Sequence, residues 1–468
     1  MCDPRPIRFG TDGWRAVIGD DFTYDNLRRV ADAAGRVFAA DSPGGTVVVG
    51  YDTRFEAGAF AAAAAEVLAS HGLVVKVSDR YCPTPALCWS VARDETAIGG
   101  VMLTASHNPA PYLGFKLRMS DGGASPVSFT DRVEAELADA PPAARGAFES
   151  FDLIGPYLAA LRSLVDEDAI RAAGLKVLVD PLYGAGRGYL AETLRSLGVE
   201  VTELHGEANP GFGGLHPEPI PPHIDRARDI VRERGLDAAF ITDGDADRIG
   251  AADGTGAFVN PHRIICLVAR HLIEDKGQCG KIVKTLSTSV LVDRLARILN
   301  VETVTTPVGF KWIYEEMVKG GVLIGGEESG GIGMPLHVRE RDGLLMSLLL
   351  AEMMAQRQMG LGDLVADLLA LTGTMEYGRV DLRLDAARKD AFVASWASLS
   401  PATVAGLPVG EIVRADGIKF LLPDDAWLLM RASGTEPLVR IYAEAADQGA
   451  VDALLAAGRA MAEGGAGA

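Results

Sequence analysis

Ser106 and His107 are adjacent residues whose side chains are suited to group transfer. They follow the apolar run AIGGVMLTA and precede Asn108 and Pro109. A serine hydroxyl at the end of a buried strand can act as a nucleophile or carry a phosphate when a base or a metal activates it. The same residues also fit a polar turn closed by Asn-Pro, so the pair does not identify a site by itself.

The segment DGDADR places Asp243, Asp245 and Asp247 at alternating positions of a short loop. This spacing lets the carboxylates converge on one hard cation, and Mg²⁺ suits them because it prefers oxygen ligands. Arg248 adds a fixed positive charge suited to a phosphate. The alternatives are a solvated acidic turn and a calcium loop, although Gly254 stands where such a loop has its distal glutamate. We predict a catalytic Mg²⁺ site.

A third loop, GEESGG, carries Glu327 and Ser329 directly after the apolar run GVLIG. Carboxylates and hydroxyls are groups that form hydrogen bonds with sugar hydroxyls. Clusters of Glu, Ser and Gly also fill ordinary surface turns. The position at the end of a buried strand favours a binding site, because open α/β sheets bind ligands at the carboxyl ends of their strands.

A fourth loop, RASGTEP, joins the apolar runs WLLM and LVRIYAEA. This loop is suited to binding a phosphate. It has an arginine, the hydroxyls of a serine and a threonine, and a glycine that frees the backbone amides. A plain β-turn would explain the glycine, but it would not require the cation and the hydroxyls together. The predicted phosphate-binding residues are Arg431, Ser433, Gly434 and Thr435.

The elements that must position these loops form a pattern that occurs three times along the chain. Each copy has an apolar strand, a helix, a second strand and a third strand that runs into one of the first three loops. The first strands are TVVVGYDTR, LKVLVD and KIVKTL, and the third strands are AIGGVMLTA, DAAFITD and GVLIGG. Continuous Val, Ile and Leu runs indicate mixed, mainly parallel sheets with helices on both faces. Three such loops can meet in one cleft.

The sequence therefore predicts an α/β protein with three similar mixed α/β/α sandwich domains and a smaller C-terminal α+β domain. After residue 377 the pattern changes to strands joined by turns, followed by a helix near VDALLAAGRAMAEG. This suggests a last domain of about 95 residues. The predicted domain boundaries are 1–150, 151–257, 258–372 and 373–468.

The charge balance excludes several classes of partner. The chain has 63 acidic and 45 basic residues and a formal net charge of -18, so it repels nucleic acid and anionic membranes. A phosphate ligand therefore needs local positive charge. The five cysteines are scattered, which is typical of reduced intracellular thiols. The N-terminus lacks the apolar stretch of a signal peptide, so we expect a cytoplasmic protein without membrane spans.

Seven motifs, in order along the chain, resemble those of the α-D-phosphohexomutase family. They are FGTDGWR, TASHNP, GFK, DGDADR, TPVGFK, GEESGG and RASGTEP. The resemblance covers essentially the whole chain, and it implies four domains around a central cleft. It also implies that hexose 1-phosphate and hexose 6-phosphate are interconverted through a phosphoserine and a hexose 1,6-bisphosphate. We expect a monomer or a homodimer whose partner is a small sugar phosphate.

The resemblance also implies roles for individual residues. The phosphate carrier would be Ser106, which would share Mg²⁺ with the aspartates of DGDADR. The residues around the transferring phosphate would be Arg15, His107, Lys116 and Arg248. The residues that bind the sugar or the second phosphate would be Glu327, Ser329, Lys311, Arg341, Arg431, Ser433, Gly434 and Thr435. Lys116 and His107 are the candidates for general acid and base, and their assignment stays open.

The third loop, GEESGG, which we call the sugar loop, gives information about which hexose the protein binds. GEESGG followed by HVRERDG resembles phosphoglucomutases more than phosphoglucosamine mutases, which tend to carry GEQSGH. We therefore expect glucose phosphates as substrates and glucose 1,6-bisphosphate as activator and intermediate. Some phosphomannomutases of dual specificity have histidine where this chain has Gly331, and mannose and glucosamine phosphates stay as alternatives. The chain also has Leu113 where the family commonly has asparagine before Gly114.

Two other classes of protein are consistent with parts of the sequence. A phosphatase of the haloacid-dehalogenase type would use DGDADR as a nucleophilic Asp-x-Asp pair, but it would leave TASHNP and RASGTEP unexplained. A sugar-phosphate binding protein without activity would need neither the serine nor a metal site. Net release of inorganic phosphate would distinguish the phosphatase from the mutase.

Overall fold

The first unit of the chain forms a six-stranded sheet in a computed structural model that describes residues 7–10, 12–433 and 437–464. Its strands are β1 Trp14–Val17, β2 Thr46–Tyr51, β3 Val74–Ser78, β4 Ala97–Leu103, β5 Tyr112–Met119 and β6 Glu149–Phe151. Their order in the sheet is β1-β5-β4-β2-β3-β6. The helices are α1 Tyr24–Asp41, α2 Ala57–Ala69, α3 Thr84–Arg93 and α4 Val127–Ala135.

The second unit forms a five-stranded sheet. Its strands are β7 Lys176–Asp180, β8 Glu200–Glu203, β9 Ala238–Thr242, β10 Ile249–Asp253 and β11 Phe258–Val259, in the order β11-β10-β9-β7-β8. Its helices are α5 Ile154–Ser163, α6 Glu167–Ala173, α7 Tyr189–Ser196 and α8 Asp225–Arg234. Helix α6 begins where the side chain of Asp166 accepts a hydrogen bond from the amide of Ala169 over 2.9 Å.

The third unit forms a four-stranded sheet. Its strands are β12 Lys281–Thr285, β13 Thr303–Thr306, β14 Val322–Gly326 and β15 Ile332–Gly333, in the order β13-β12-β14-β15. Its helices are α9 Pro261–Arg270, α10 Leu291–Leu299, α11 Phe310–Lys319, α12 Gly343–Arg357 and α13 Leu361–Thr372. Helix α9 continues into a π-helical turn at His271–Asp275. The side chain of Asn260 caps α9, and Pro261 fills its first turn.

These three sheets share one plan, as the repeated sequence pattern indicates. In each sheet a central strand pairs in parallel with both neighbours: β2 with β3 and β4, β7 with β8 and β9, and β12 with β13 and β14. The other side of β4, β9 and β14 pairs with an antiparallel strand. Because the first three loops follow β4, β9 and β14, they leave the sheets at equivalent positions.

The fourth unit is an antiparallel sheet and is built on a different plan. Its strands are β16 Glu376–Arg383, β17 Thr403–Val404, β18 Leu407–Pro408, β19 Glu411–Val413, β20 Ile418–Leu421, β21 Trp427–Ala432 and β22 Leu438–Ala445. The main sheet has the order β16-β22-β21-β20-β19, and β17 pairs with β18 alone. The helices are α14 Ala386–Ser395 and α15 Gln448–Ala462.

A continuous apolar core joins the first three units, with the buried helix α12 inside it. The polar groups of α12 have partners. The hydroxyl of Ser347 donates to the carbonyl of Gly343 over 2.7 Å, and Glu352 accepts hydrogen bonds from Lys276 over 2.6 Å and from the amide of Asp166 over 2.7 Å. Helix α12 therefore fixes the second unit against the third. In the described part of the chain, no helix is both long and apolar enough to span a membrane.

His262 joins helix α9 to the loop after β12. Its Nδ1 accepts a hydrogen bond from the amide of Ser289 over 3.2 Å, and its ring lies edge-on to Tyr377 with 4.4 Å between the centroids. Burial, with the charges of Lys284 and Arg263, lowers the pKa of His262 to about 3. The folded protein therefore keeps this ring neutral at pH values at which an exposed histidine is charged.

We predict that His262 makes the protein less stable as the pH falls below about 6.5. The unfolded chain takes up a proton there that the folded chain does not, and each pH unit then costs up to about 1.4 kcal/mol. His262→Asn, whose amide oxygen can replace Nδ1 as the acceptor, should flatten this dependence. Urea unfolding between pH 4.5 and pH 8 measures the difference, and equal slopes for the two proteins would contradict the prediction.

Candidate active site

The loops of the three repeated units meet at one place. Ser106, after β4, lies against the loop after β9, and its Oγ donates a hydrogen bond to Oδ2 of Asp243 over 3.0 Å. The amide of Arg248 donates to Oδ1 of the same aspartate over 3.1 Å. The loop after β14 joins them, because the amide of Ile249 donates to the carbonyl of Gly330 over 3.0 Å. Ser106 is 1% exposed, so its side chain is buried where the loops meet.

Asp243, Asp245 and Asp247 form a compact group of carboxylates. One oxygen of each lies within 4.8 Å of the others, and all three side chains are fully buried. Burial and the other two carboxylates raise the pKa of Asp243 well above its usual value, and burial raises the pKa of Asp247 to about 6. Among the described residues, Oδ1 of Asp245 and Oδ1 of Asp247 accept no hydrogen bond. These clustered oxygens suit Mg²⁺, which would offset the repulsion among them.

The backbone of Ser106 has a left-handed conformation, with φ of 51°. Such a φ is unfavourable for a residue with a side chain, so neighbouring groups must hold it. Oγ1 of Thr104 accepts a hydrogen bond from the amide of Ser106 over 2.9 Å, and Nη2 of Arg54 donates to its carbonyl over 2.6 Å. In this conformation the hydroxyl of Ser106 reaches the aspartates.

Arg54 supports the loop between β4 and β5 that carries Ser106, which we call the serine loop. The sequence analysis missed this residue. Its Nη atoms also donate to the carbonyls of Asn108 over 2.7 Å, Pro109 over 2.9 Å and Tyr112 over 3.0 Å. Its Nε pairs with Asp52 over 3.1 Å, and both side chains are fully buried. The sequence feature that could have indicated Arg54 was the charged segment DTR at the end of an apolar strand. A charge buried at such a place requires a partner that pairs with it or forms hydrogen bonds to it.

His107 and Arg15 flank the serine. Nδ1 of His107 lies 3.4 Å from Oγ of Ser106. Burial, together with the charges of Arg248 and Arg15, lowers the pKa of His107 well below its usual value. The imidazole is therefore neutral at pH 7. Nη1 of Arg15 donates to Oδ1 of Asn108 over 2.6 Å, which holds this cation beside the serine loop.

Asp12, in the FGTDGWR motif, gathers cations at the site and was not singled out from the sequence. Its Oδ2 lies 2.8 Å from Nζ of Lys116, 3.2 Å from Nη2 of Arg341 and 3.9 Å from Nη2 of Arg15. Its Oδ1 lies 2.9 Å from Nη1 of Arg118. Burial alone would raise the pKa of Asp12, but these four cations reverse the effect and hold the pKa well below its usual value. Asp12 therefore fixes positive charge from the first and third units in one place.

Lys116 joins this group of cations to the aspartates. Its Nζ lies 2.9 Å from Oδ2 of Asp245, which also accepts a hydrogen bond from Oγ1 of Thr84 over 2.6 Å. Burial alone would lower the pKa of Lys116, but Asp12, Asp245 and Asp247 reverse the effect and raise it. The buried amine is therefore protonated, and its positive charge can hold a phosphate.

Gly331 leaves space for the side chain of Arg341. A Cβ atom at Gly331 would lie 2.4 Å from Cδ of Arg341. Arg341 cannot easily move away, because its Nη2 lies 2.7 Å from Oδ2 of Asp247 and its Nε lies 3.0 Å from Oε1 of Glu340. The glycine at this position thus allows a cation from the third unit to reach the aspartates.

The sugar loop presents a buried carboxylate. Oε1 of Glu327 accepts a hydrogen bond from the amide of Gly309 over 2.9 Å. Burial, with the charge of Glu328 beside it, raises the pKa of Glu327 to about 7. Ser329 is half-buried on the same loop. Lys311, at the start of α11, has its ammonium 4.7 Å from the ring centre of Trp312 and stays a predicted substrate contact.

The fourth unit contributes Arg431 and Ser433. Nε of Arg431 donates to Oδ2 of Asp416 over 2.6 Å. The amide of Ser433 donates to the carbonyl of Leu438 over 3.0 Å, which closes the strand pair at the base of the loop. The other two residues that we predict to bind this phosphate, Gly434 and Thr435, lie outside the described residues.

Comparisons with known proteins agree with this arrangement. Family models for phosphoglucomutase/phosphomannomutase match in order: α/β/α domain I over residues 6–143, domain II over 155–256, domain III over 260–371 and the C-terminal domain over 382–460. A crystal structure from Thermus thermophilus, provisionally assigned as a phosphomannomutase, has 40% identity and a TM-score of 0.89, covering 98% of this chain and 100% of that one. The predicted fold class is confirmed.

Two relatives of similar length are named as enzymes that act on different hexose phosphates. The chain is 32% identical over 444 residues to the phosphoglucomutase/phosphomannomutase of Thermococcus kodakarensis, covering 93% of this chain and 94% of that protein. It is 33% identical over 465 residues to the phosphoglucosamine mutase of Synechococcus sp. strain WH7803, covering 96% and 94%. Overall identity therefore does not distinguish the hexoses.

We predict that Asp243→Asn weakens Mg²⁺ binding at least about tenfold, because it removes one charged ligand from the group. The same change should raise the thermal midpoint of the metal-free protein, because it relieves repulsion among buried carboxylates. Titration calorimetry with Mg²⁺ and thermal unfolding measure the two effects. The exposed Asp139→Asn is a matched control. Unchanged Mg²⁺ affinity in Asp243→Asn would exclude this site.

We also predict that Arg54→Lys destabilises the protein by about 3 kcal/mol or more. A lysine keeps the charge, but it cannot form the forked set of bonds, so buried carbonyls of the serine loop lose their donors. Thermal unfolding compares this variant with Arg132→Lys, in which an arginine that pairs with Asp41 at the surface is changed. The control should stay close to the wild type. Equal midpoints for both variants would mean that the Arg54 bonds are dispensable.

Proposed function

Because the chain belongs to the phosphoglucomutase/phosphomannomutase family, we propose that it interconverts glucose 1-phosphate and glucose 6-phosphate through glucose 1,6-bisphosphate. Membership makes it a phosphohexomutase, an isomerase that moves a phosphoryl group within a hexose phosphate. It also excludes the haloacid-dehalogenase interpretation of DGDADR. The choice of glucose rests on the sugar-loop sequence, and mannose and glucosamine phosphates are the alternatives.

One observation supports the proposal above all others. The hydroxyl of Ser106 donates to Asp243 over 3.0 Å, inside a buried group of three aspartates and beside a neutral histidine. We assign the role of phosphate carrier to Ser106. Asp243, Asp245 and Asp247 would hold Mg²⁺ with the phosphoserine, and the bound ion would supply positive charge that offsets the charge on the transferred phosphoryl group.

The side chains around Ser106 handle charge and protons. Arg15, Arg248 and Lys116 offset the negative charge of the phosphoryl group. When the Ser106 oxygen attacks a phosphate of the bisphosphate, the O–P bond to the sugar breaks and Ser106 loses its proton. Nδ1 of His107 lies 3.4 Å from that oxygen and can accept this proton, returning it when the serine later leaves. Lys116, which is protonated, can supply a proton to the departing sugar oxygen.

The remaining residues would hold the part of the substrate that does not react. Glu327 and Ser329 would bind sugar hydroxyls, and Lys311 and Arg341 would contact the phosphosugar from the third unit. Arg431, Ser433, Gly434 and Thr435 would bind the second phosphate. The bisphosphate must turn so that either phosphate can meet Ser106, and a fixed cradle on a separate domain suits this step.

Other features of the protein also remain proposals. We propose a cytoplasmic monomer or homodimer that binds sugar phosphate and neither nucleic acid nor membrane. We also retain domain boundaries after residues 150, 257 and 372. The first boundary falls within β6, so the sheet of the first unit extends one residue beyond it, to Phe151, which pairs in parallel with Ser78 of β3.

We predict that Ser106→Ala loses most mutase activity, by at least about 100-fold, because no other group can carry the phosphoryl between the two positions. The assay follows glucose 6-phosphate formed from glucose 1-phosphate with Mg²⁺ and catalytic glucose 1,6-bisphosphate. The exposed Ser163→Ala on α5, at which a hydroxyl donates to the carbonyl of Ala160, should keep normal activity.

The same assay tests the hexose. Glucose, mannose and glucosamine 1-phosphates compared at equal concentration should give the highest kcat/KM for glucose. A higher value for mannose or glucosamine would correct the substrate and keep the mutase. Stoichiometric release of inorganic phosphate, or full activity of Ser106→Ala, would refute the phosphoserine mechanism.

A further inference from the structure

Asp416 links the fourth unit to the third at the edge of the cleft. It lies in the turn between β19 and β20, and its side chain is 23% exposed. Its Oδ2 accepts a hydrogen bond from Nε of Arg431 over 2.6 Å, within the fourth unit. The same oxygen accepts a hydrogen bond from the amide of Val308 over 2.9 Å, across the boundary to the third unit. A single carboxylate oxygen therefore joins a predicted phosphate-binding cation to the TPVGFK segment.

The turn holds Asp416 firmly against strand β21. Gly417 has φ of 88°, a conformation that favours glycine, and a Cβ atom there would lie 2.3 Å from the carbonyl oxygen of Met430. Met430 directly precedes Arg431 on β21. The turn and the arginine therefore keep a fixed relative position whenever the fourth unit moves as a body.

The partner segment in the third unit leads to the sugar loop. Val308 and Gly309 are consecutive residues, and their amides donate to carboxylates of different units: Val308 to Asp416 and Gly309 to Glu327 over 2.9 Å. The side chain of Val308 also packs on an apolar cluster that includes Trp427 of the fourth sheet. A continuous path of bonds thus runs from Arg431 through Asp416 and the 308–309 peptide to Glu327.

We propose that Asp416 is a positioning residue that orients Arg431 and closes the fourth domain over the sugar loop. The inference rests on the proposed mutase function. A bisphosphate intermediate must stay enclosed while it turns, and the bonds through Asp416 and the 308–309 peptide put Arg431 and Glu327 at a fixed separation. When the Asp416–Val308 bond breaks, the domain can open and carry Arg431 with it, because the Asp416–Arg431 pair lies entirely within the fourth unit.

Other contacts keep the two units together when this bond breaks. Glu444 on β22 accepts hydrogen bonds from the amide of Val290 over 2.9 Å and from Nε1 of Trp427 over 2.6 Å. Nζ of Lys419 on β20 donates to the carbonyl of Leu286 over 2.7 Å. The contacts of Glu444 and Lys419 with the third unit reach the loop after β12, where the amide of Leu286 donates to the carbonyl of Thr306 over 2.9 Å. The loss of the Asp416 bond should therefore loosen closure without detaching the domain.

The test compares Asp416→Asn and Asp416→Ala with Asp425→Asn. Asp425 also joins the fourth unit to the third, since its Oδ2 lies 2.9 Å from Nη2 of Arg294, but it is half-exposed and touches neither Arg431 nor Val308. In Asp416→Ala the KM for the hexose 1-phosphate that the wild type uses should rise about tenfold, the loss expected for one charge-assisted contact. Asp416→Asn should show a smaller rise, and Asp425→Asn should match the wild type.

A second readout separates positioning from general structural support. Enzyme carrying labelled phosphate on Ser106 is mixed with hexose 6-phosphate, and the labelled bisphosphate that escapes into solution is measured. Asp416→Ala should release several times more bisphosphate per turnover than the wild type. It should also need about tenfold more added bisphosphate for half-maximal activity, and kcat should recover when bisphosphate is saturating.

The outcomes are distinguishable. If the wild type is active and the Asp416 variants release no more bisphosphate than Asp425→Asn, the inference is wrong and the mutase function stands. A loss of activity in Asp416→Ala that saturating bisphosphate does not restore, together with a lower thermal midpoint, would reduce Asp416 to a structural role and also refute it. If the wild type interconverts no hexose phosphate, both proposals fail.

Discussion

The burial of three carboxylates within 4.8 Å of one another is the constraint on which the rest of the site depends. Like charges at this separation in a buried place are strongly unfavourable unless positive charge balances them. The protein provides part of the balance through Lys116 of the first unit and Arg341 of the third. Because these cations come from different units, the site forms only when the units are assembled, and the unpaired carboxylate oxygens define the place for a metal ion.

Each of the functional loops after β4, β9 and β14 is supported by the loop that follows the neighbouring central strand of its own sheet. After β2, Arg54 donates to the carbonyl of Ser106, and after β7 the amide of Ala185 donates to the carbonyl of Gly244 over 2.9 Å. After β12, the hydroxyl of Ser287 donates to Glu328 over 2.6 Å. The repeat therefore duplicates a pair of loops, one that carries the functional groups and one that holds it in position.

The sequence was sufficient to predict the repeated units and the loops after β4, β9 and β14, because strand periodicity and the polar residues at strand ends are local features. Asp12 and Arg54 were missed for a physical reason. Their roles depend on which cations and carbonyls other segments bring near them, and spacing along the chain does not encode those distances. The cation from Arg341 was expected, but its dependence on Gly331 became visible only from the space between their atoms.

The close approach of Gly331 and Arg341 limits how related enzymes can diverge. Any side chain at position 331 would overlap the arginine, which is held by Asp247 and Glu340. A histidine at this position would require the arginine to move or to be replaced, and the aspartates would then need another source of positive charge. We therefore expect the residue types at positions 331 and 341 to covary among related enzymes.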